Sequence, residues 1–340
     1  MIAGFATHDP CYRFAKSHHE TRQFFRKTQS VTVSSIGLGS YLGAMDDATD
    51  RGYEQSVMAA VELGINCFDT SLNYRNQRSE QAIGRALAEL IVGGKVEREQ
   101  LLISTKAGYL VPGAVPETDE IEGGMHCMTP AFLSDQLVRS QANLQLETVD
   151  VLYLHNPETQ LRYVATDVFY ERLRRAFEAL EQFVADGRIR YYGAATWSGF
   201  REPGQLSLKR MVAIAREVGG KFHHFRFIQL PVNLAMPEAF TRVEELGRTV
   251  LDIAKDENIA AVASASIMQG RLAAGLPPQI ASQVPGLASD VLRSIQFTRS
   301  TPGIVTALVG MSNPLHVREN ASLAMIPPMG PDGYFRQPLK

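Results

Sequence analysis

Gly64-Ile65-Asn66-Cys67-Phe68-Asp69-Thr70-Ser71-Leu72-Asn73-Tyr74, followed shortly by Ser79-Glu80, is the stretch on which the reading of this chain turns. Ile65 to Phe68 is apolar and rich in β-formers, and a glycine closes the helical pattern before it, so it reads as a short buried strand. A carboxylate, two hydroxyls and a phenol follow at once. They crowd polar groups at the strand's C-terminal end, where parallel α/β barrels and doubly wound sheets bind ligands. Taken alone, the stretch also reads as a strand and a capped turn, with Asp69 as N-cap and Tyr74 packed on the next helix. The ends of the later strands decide between the two.

Around this stretch, helix and strand patterns alternate. A possible hairpin over 27–35, through Val31-Thr32-Val33, leads into a buried strand, Ile36-Gly37-Leu38-Gly39, that ends in a glycine turn. Its glycines are no dinucleotide fingerprint, because no third glycine arrives in register to open a helix. Helices are expected over 54–63, 79–91, 129–146, 169–186, 209–218, 244–256 and 289–296, with a short last one opened by Asn313-Pro314. Strands are expected over 101–106, 149–155, 189–195, 227–230, 259–263 and 304–309. Thr129-Pro130 is a strong helix start, and Leu173, Phe177, Leu180 and Val184 give an amphipathic face stopped by Gly187. Two long loops, 107–128 and 271–285, carry no core pattern; loops of that length are usually functional or disordered.

Eight short apolar strands, each followed by a helix, imply a parallel sheet with right-handed crossovers. At 340 residues the pattern fits a single-domain (β/α)8 TIM barrel over 31–326 better than a doubly wound sheet. Residues 1–30 read as an N-terminal extension, aperiodic and superficial over 1–24, and residues 327–340 as a C-terminal tail.

Composition sets the remaining bounds. The chain is 45% hydrophobic with a net charge of −2, which gives no footprint for nucleic acid. Cys11, Cys67 and Cys127 are few, odd in number and far apart, against a disulfide framework or a zinc site. No apolar run is long enough for a membrane span, and the N-terminus lacks a signal-peptide core. A cytoplasmic protein acting on a small molecule, with neither membrane nor nucleic-acid partner and no metal, is expected.

Asp69 and Tyr74, Lys106 and His155 follow the second, third and fourth strands, so a barrel brings them to one pocket. A tyrosine, with a pKa of about 10, exchanges protons poorly near neutrality unless that value is lowered. A neighbouring ammonium favours the phenolate, and a carboxylate behind the lysine keeps the ammonium charged and oriented. A histidine beside the phenol orients a substrate oxygen. The set suits proton transfer to a carbonyl oxygen while a hydride reaches the carbon, and a nicotinamide would have to supply that hydride. Individually, a lysine at a strand end is usually solvated or ion-paired and a histidine before Asn-Pro is often a turn donor; it is the combination that carries the reading.

These residues resemble the aldo-keto reductases. The similarity runs from about Val33 to Asn320, through Gly37-Leu38-Gly39, Gly64-Ile65-Asn66, Phe68-Asp69-Thr70 with Tyr74, Ser79-Glu80 with Gly84 and Ala86-Leu87, Thr105-Lys106, Asp150-Val151-Leu152 with His155, Gln229 with Asn233, and Glu319-Asn320. The resemblance implies NAD(P)H-dependent interconversion of a carbonyl (aldehyde, ketone or sugar) and an alcohol. Tyr74 would be the general acid/base, Lys106 and Asp69 its pKa-lowering partners and His155 the carbonyl orienter. It implies cofactor contacts at Gly39, Asp69, Thr196, Gln229, Ser264, Ile267, Arg271, Gly310, Ser312, His316, Glu319 and Asn320, and substrate walls at Tyr41 and Trp197.

Some cofactor positions depart from the family pattern. Ala195-Thr196 stands where Ser-Asn is usual, Ser264 where an aromatic often stacks on the nicotinamide, and His316 where an arginine is frequent. No basic residue lies in Gly310-Met311-Ser312-Asn313, with Arg271 and Arg318 as possible substitutes. NADP(H) remains the favoured cofactor and NAD(H) possible. The departures also keep a second reading open, a cofactor-binding regulatory or sensor barrel with little turnover, like the family's channel-associated members.

Overall fold

A computed structural model describes residues 1–19, 22–114, 116–243 and 247–330. An antiparallel hairpin, β1 (Phe25–Thr28) and β2 (Val31–Ser34), precedes eight parallel strands that close into a barrel in chain order. These are β3 (Ile36–Gly39), β4 (Cys67–Asp69), β5 (Leu102–Ala107), β6 (Val149–His155), β7 (Ile189–Ala195), β8 (Phe225–Pro231), β9 (Ala260–Ser264) and β10 (Ile304–Gly310). β10 closes on β3 with Gly310 opposite Gly39. Between them run α2 (Asp47–Glu62), α3 (Arg78–Val92), α4 (Pro130–Leu144), α5 (Thr166–Ala185), α6 (Leu208–Gly219), the short α7 (Glu238–Thr241), α8 (Val250–Asp256), α9 (Pro278–Gln283) and α10 (Asp290–Ser300), with α11 (Pro314–Ala321) last. The (β/α)8 barrel read from the strand count is the fold.

Side-chain alternation divides the core. Along β6, Leu152 and Leu154 face the helices, while Val151 and Tyr153 join Cys67, Leu102, Phe227 and Val262 inside the barrel. That inner cluster also takes in Ala6, Cys11, Val31 and Val33, so the N-terminal residues and the hairpin stopper the barrel at the N-terminal ends of its strands. Asn66, just before β4, accepts from the Ser34 N–H and donates to the carbonyls of Thr32 and Gln100. Buried Asp150 accepts from the backbone N–H of Ala6 and Ile103 and pairs with Arg98 at 2.7 Å.

The N-terminal region therefore differs from the expected surface extension. Residues 8–18 form a helix, α1 (His8–His18), that buries Cys11, Phe14 and Ala15. Other differences are local. α2 begins seven residues earlier than expected because Asp46 caps it, accepting from the Thr49 N–H at 2.8 Å. Thr129 makes no capping bond to α4, and the loop over 271–285 contains α9. α8 starts at Val250 under a capping box from Thr249 and Asp252; residues 244–246 of the helix expected there lie outside the described residues, as do residues 331–340 of the expected tail. Among the described residues no helix is long and apolar enough to cross a membrane, and no cluster of His, Cys, Asp and Glu could hold a metal.

Candidate active site

The C-terminal ends of the strands open on a pocket of about 430 Å³. At its floor, Lys106 near the end of β5 donates from Nζ to Asp69 Oδ2 at 2.6 Å and to the Thr70 carbonyl at 2.7 Å. The other Asp69 oxygen, Oδ1, accepts from Ser104 Oγ and Gln229 Nε2, both at 2.8 Å. Every polar atom of the buried carboxylate is thus engaged, which is what keeps a buried ion pair tolerable. The Lys106 ammonium lies 4.8 Å from the centre of the Tyr74 ring, and His155 meets the same ring edge-on at 5.6 Å. The tetrad expected from the sequence is brought together.

Its electrostatics differ from expectation in one respect. Burial, Asp69 and the neighbouring phenols of Tyr41 and Tyr109 push the Tyr74 pKa well above its ordinary value. The ammonium does not offset this, because Asp69 already neutralises it at contact distance. Burial lowers Lys106, against the opposing pull of Asp69. His155 is pushed well below its usual range by burial, then by Lys106 and His126. At neutral pH the pocket therefore presents a protonated phenol and a neutral imidazole.

The surrounding backbone holds these groups under strain. Arg75, Asn76 and Gln77, directly after Tyr74, all have positive φ (49°, 52° and 71°), an arrangement that persists only where contacts enforce it. Here Arg75 is buried, paired with Asp50, and donates from Nε to the Ala44 carbonyl at 2.7 Å. This ties the Tyr74 turn to the loop that carries Tyr41, whose ring packs on Tyr74 at 5.0 Å. Asn156 follows His155 with φ 47° and donates to the Tyr109 hydroxyl at 3.1 Å. Buried Glu158 accepts at one oxygen from the N–H groups of Trp197, Ser198 and Gly199, which fixes the turn after β7. Burial pushes its pKa up, against those backbone bonds.

Of the residues expected from the sequence, Gly39, Tyr41, Asp69, Tyr74, His155, Thr196, Trp197, Gln229, Ser264, Ile267 and Gly310 line the pocket. Lys106 sits buried behind them. Arg271, Ser312, His316 and Glu319 are exposed and outside the pocket lining, Glu319 accepting from Ser289 Oγ. Asn320 on α11 is buried. Reasoning from sequence missed Ser71, Ser104, Tyr109, Asn156 and Ser266. A hydroxyl or amide one or two residues past a strand end marks Ser71, Tyr109, Asn156 and Ser266; Ser104 lies inside β5 and carries no such signal.

Among the buried oxygens without a partner are Thr196 Oγ1 and Ser266 Oγ, on pocket-lining residues, Thr70 Oγ1 and Glu158 Oε2 beside the site, and Asn320 Oδ1 on α11. Orphaned buried polar atoms await a ligand or water, and hydroxyl and amide oxygens suit the carboxamide, ribose and adenine groups of a dinucleotide.

A closed parallel barrel with a Tyr-Lys-Asp-His group at its C-terminal mouth defines an enzyme-like (β/α)8 protein. The chain belongs to the aldo/keto reductase family, whose model matches residues 35–278. It is 29% identical over 177 residues to a putative voltage-gated potassium channel subunit beta of Schizosaccharomyces pombe, and 26% identical over 170 residues to the uncharacterized oxidoreductase YqkF of Bacillus subtilis. Those matches cover 52% and 50% of this chain, and 45% and 47% of the two relatives, so the chain spans about half the length of the curated relatives it matches. Among solved structures, an aldo/keto reductase from Klebsiella pneumoniae in complex with NADP and acetate superposes with TM-score 0.65 at 20% identity, over 92% of each chain. A glycerol dehydrogenase from Gluconobacter oxydans superposes with TM-score 0.66 at 18% identity, over 94% of this chain and 98% of that one. These likenesses bear on the fold.

Proposed function

We propose that the chain is an NAD(P)H-dependent oxidoreductase that interconverts a small carbonyl compound and its alcohol. The observation that carries this reading is the contact chain Asp69–Lys106–Tyr74–His155 at the pocket floor. Thr196, Ser266 and Gln229 around the pocket, with Asn320 on α11, would hold the cofactor. NADP(H) is favoured, since the Klebsiella structures carry NADP or NADPH. When bound, the nicotinamide accepts or delivers the hydride.

The chain's own residues handle the proton. Tyr74, protonated at rest, gives its proton to a carbonyl oxygen during reduction and becomes the phenolate. In oxidation it is that phenolate, having first released its proton to solvent, that takes the proton of the hydroxyl. Lys106, held in place by Asp69, faces the phenolate left behind, a charge that develops only in the transition state and beyond. His155, kept neutral, hydrogen-bonds the same oxygen, while Tyr41 and Trp197 wall the pocket and shed water from it.

The reading is tested by titrating the protein with NADPH and NADH while following fluorescence of Trp197, its only tryptophan. Saturable quenching by one of them is expected. Tyr74→Phe should then lower turnover at least about a hundredfold, the usual worth of a general acid, with quenching unchanged. Retained turnover removes Tyr74 from the acid role. The exposed Ser312 and His316, with no cation between Gly310 and Asn313, favour a second reading, a cofactor-binding sensor. Tight quenching without turnover of any carbonyl would support it.

A further inference from the structure

Trp197 lines the pocket and is 44% exposed. Among the described residues its indole makes no ring contact and no hydrogen bond. Its backbone, by contrast, is clamped from two sides. Glu158, in the short helical turn over 157–162 that follows β6, accepts at Oε1 from three successive N–H groups. They are those of Trp197 at 2.8 Å, Ser198 at 3.0 Å and Gly199 at 3.1 Å. On the other side, Arg201 donates from Nη1 to the Trp197 carbonyl at 3.4 Å. Arg201 is itself held by Glu238 of α7 through two bonds, at 2.8 and 3.1 Å. Three N–H groups in a row form a cup for negative charge. Yet the second oxygen of Glu158 is buried without a partner, a cost that the three bonds must offset. All the hydrogen bonds that Glu158 makes to other described residues go to this turn. The clamp therefore rigidifies the backbone of a side chain that packs on no other ring, and a rigid aromatic fixed in advance binds a ligand at low entropic cost.

We propose that Glu158 is a positioning residue for substrate: by gathering the N–H groups of residues 197–199 onto one oxygen it holds the Trp197 indole as a preformed wall at the pocket mouth. What matters is the reach of that oxygen, more than the charge on it. Glu158 makes no bond to Asp69, Lys106, Tyr74 or His155, so its influence falls on substrate binding and not on the proton transfer. The consequence for substrate rests on the oxidoreductase reading; the fixing of Trp197 does not.

The test begins with fluorescence anisotropy decay of the full chain without cofactor, which reports on Trp197 alone because it is the only tryptophan. In the wild type the indole should tumble with the whole protein. Glu158→Asp keeps the charge but ends one methylene short of the N–H groups, and should add a fast local component on the nanosecond scale. Glu158→Gln keeps an oxygen at full reach and should stay close to the wild type. An indole as immobile in Glu158→Asp as in the wild type overturns the proposal, as does one equally loose in both variants. With NADPH and benzaldehyde, Glu158→Asp should raise KM about tenfold, the size of one lost hydrogen bond, and change kcat less than about threefold. A loss confined to kcat overturns the role toward substrate. Should Glu158→Asp fail to fold, amide exchange of the wild type decides: the N–H groups of 197–199 must be protected, and exchange at the rate of an open loop overturns the clamp. A fixed indole in a chain that neither binds NADPH nor turns over benzaldehyde would sink the oxidoreductase reading and leave the role of Glu158 toward Trp197 standing.

Discussion

Asp69 is the residue on which the site balances. One oxygen takes the Lys106 ammonium and the other takes Ser104 and Gln229, so removing the cation alone strands a buried carboxylate. Lys106→Met should cost about 3–5 kcal/mol of stability, the usual penalty for breaking a buried pair. Adding Asp69→Asn, which keeps an acceptor for Ser104 and removes the charge, should recover more than half of the loss. Urea unfolding of the two variants measures this, and equal loss in both would mean that the charge is not what matters. The same residues show why part of the site is illegible in sequence. Ser104 reaches Asp69 from 35 positions away and Gln229 from 160, through a strand register that no local pattern encodes. The tetrad itself was legible because each member stands at a recognisable strand end.

At the level of elements, the barrel depends on how closely its helices pack. Gly84 on α3 lies against the end of α4, where an added Cβ would come within 2.2 Å of the Asn143 carbonyl and 2.8 Å of Leu144 Cα. Both obstacles are backbone and cannot rotate away, so the helices must part. Gly84→Ala should destabilise by about 1–3 kcal/mol or more, as overpacking does, although alanine is the better helix former. Thermal unfolding checks the sign; a stabilised variant would show that α3 and α4 are free to separate. Strands were read almost residue for residue where they are long and buried, as in β6 and β7. α1 escaped because an 11-residue helix with three buried side chains shows little periodicity of its own, and the surface that it covers comes from distant strands.

For the whole molecule, pH links the site to stability. Burial lowers the His126 pKa to about 4, while its ring donates to the His155 carbonyl and so joins the loop after β5 to the end of β6. The folded pKa lies below the unfolded one. As pH falls from about 6.5, the unfolded chain therefore binds the proton first and stability drops. The contribution is about 1.4 kcal/mol per pH unit, or about 3 kcal/mol by pH 4. His126→Gln keeps an N–H for the same carbonyl but does not titrate, so its stability should fall less steeply over that window. Denaturant midpoints at pH 6.5, 5.5 and 4.5 compare the two, and parallel slopes would mean that His126 is protonated in the fold.

By itself the sequence determined the alternation of eight buried strands with helices, and with it the end of the barrel at which Asp69, Tyr74, Lys106 and His155 collect. Periodicity and strand-end chemistry are local properties, and the chain carries them whole. Only the tertiary structure decided that residues 1–19 cap the barrel floor, that Asp69 spends the charge of Lys106 before it can lower the Tyr74 pKa, and that Ser71 stands behind His155. Those outcomes depend on distances of 2.6 to 3.1 Å between atoms tens of residues apart, which strand register and burial set together.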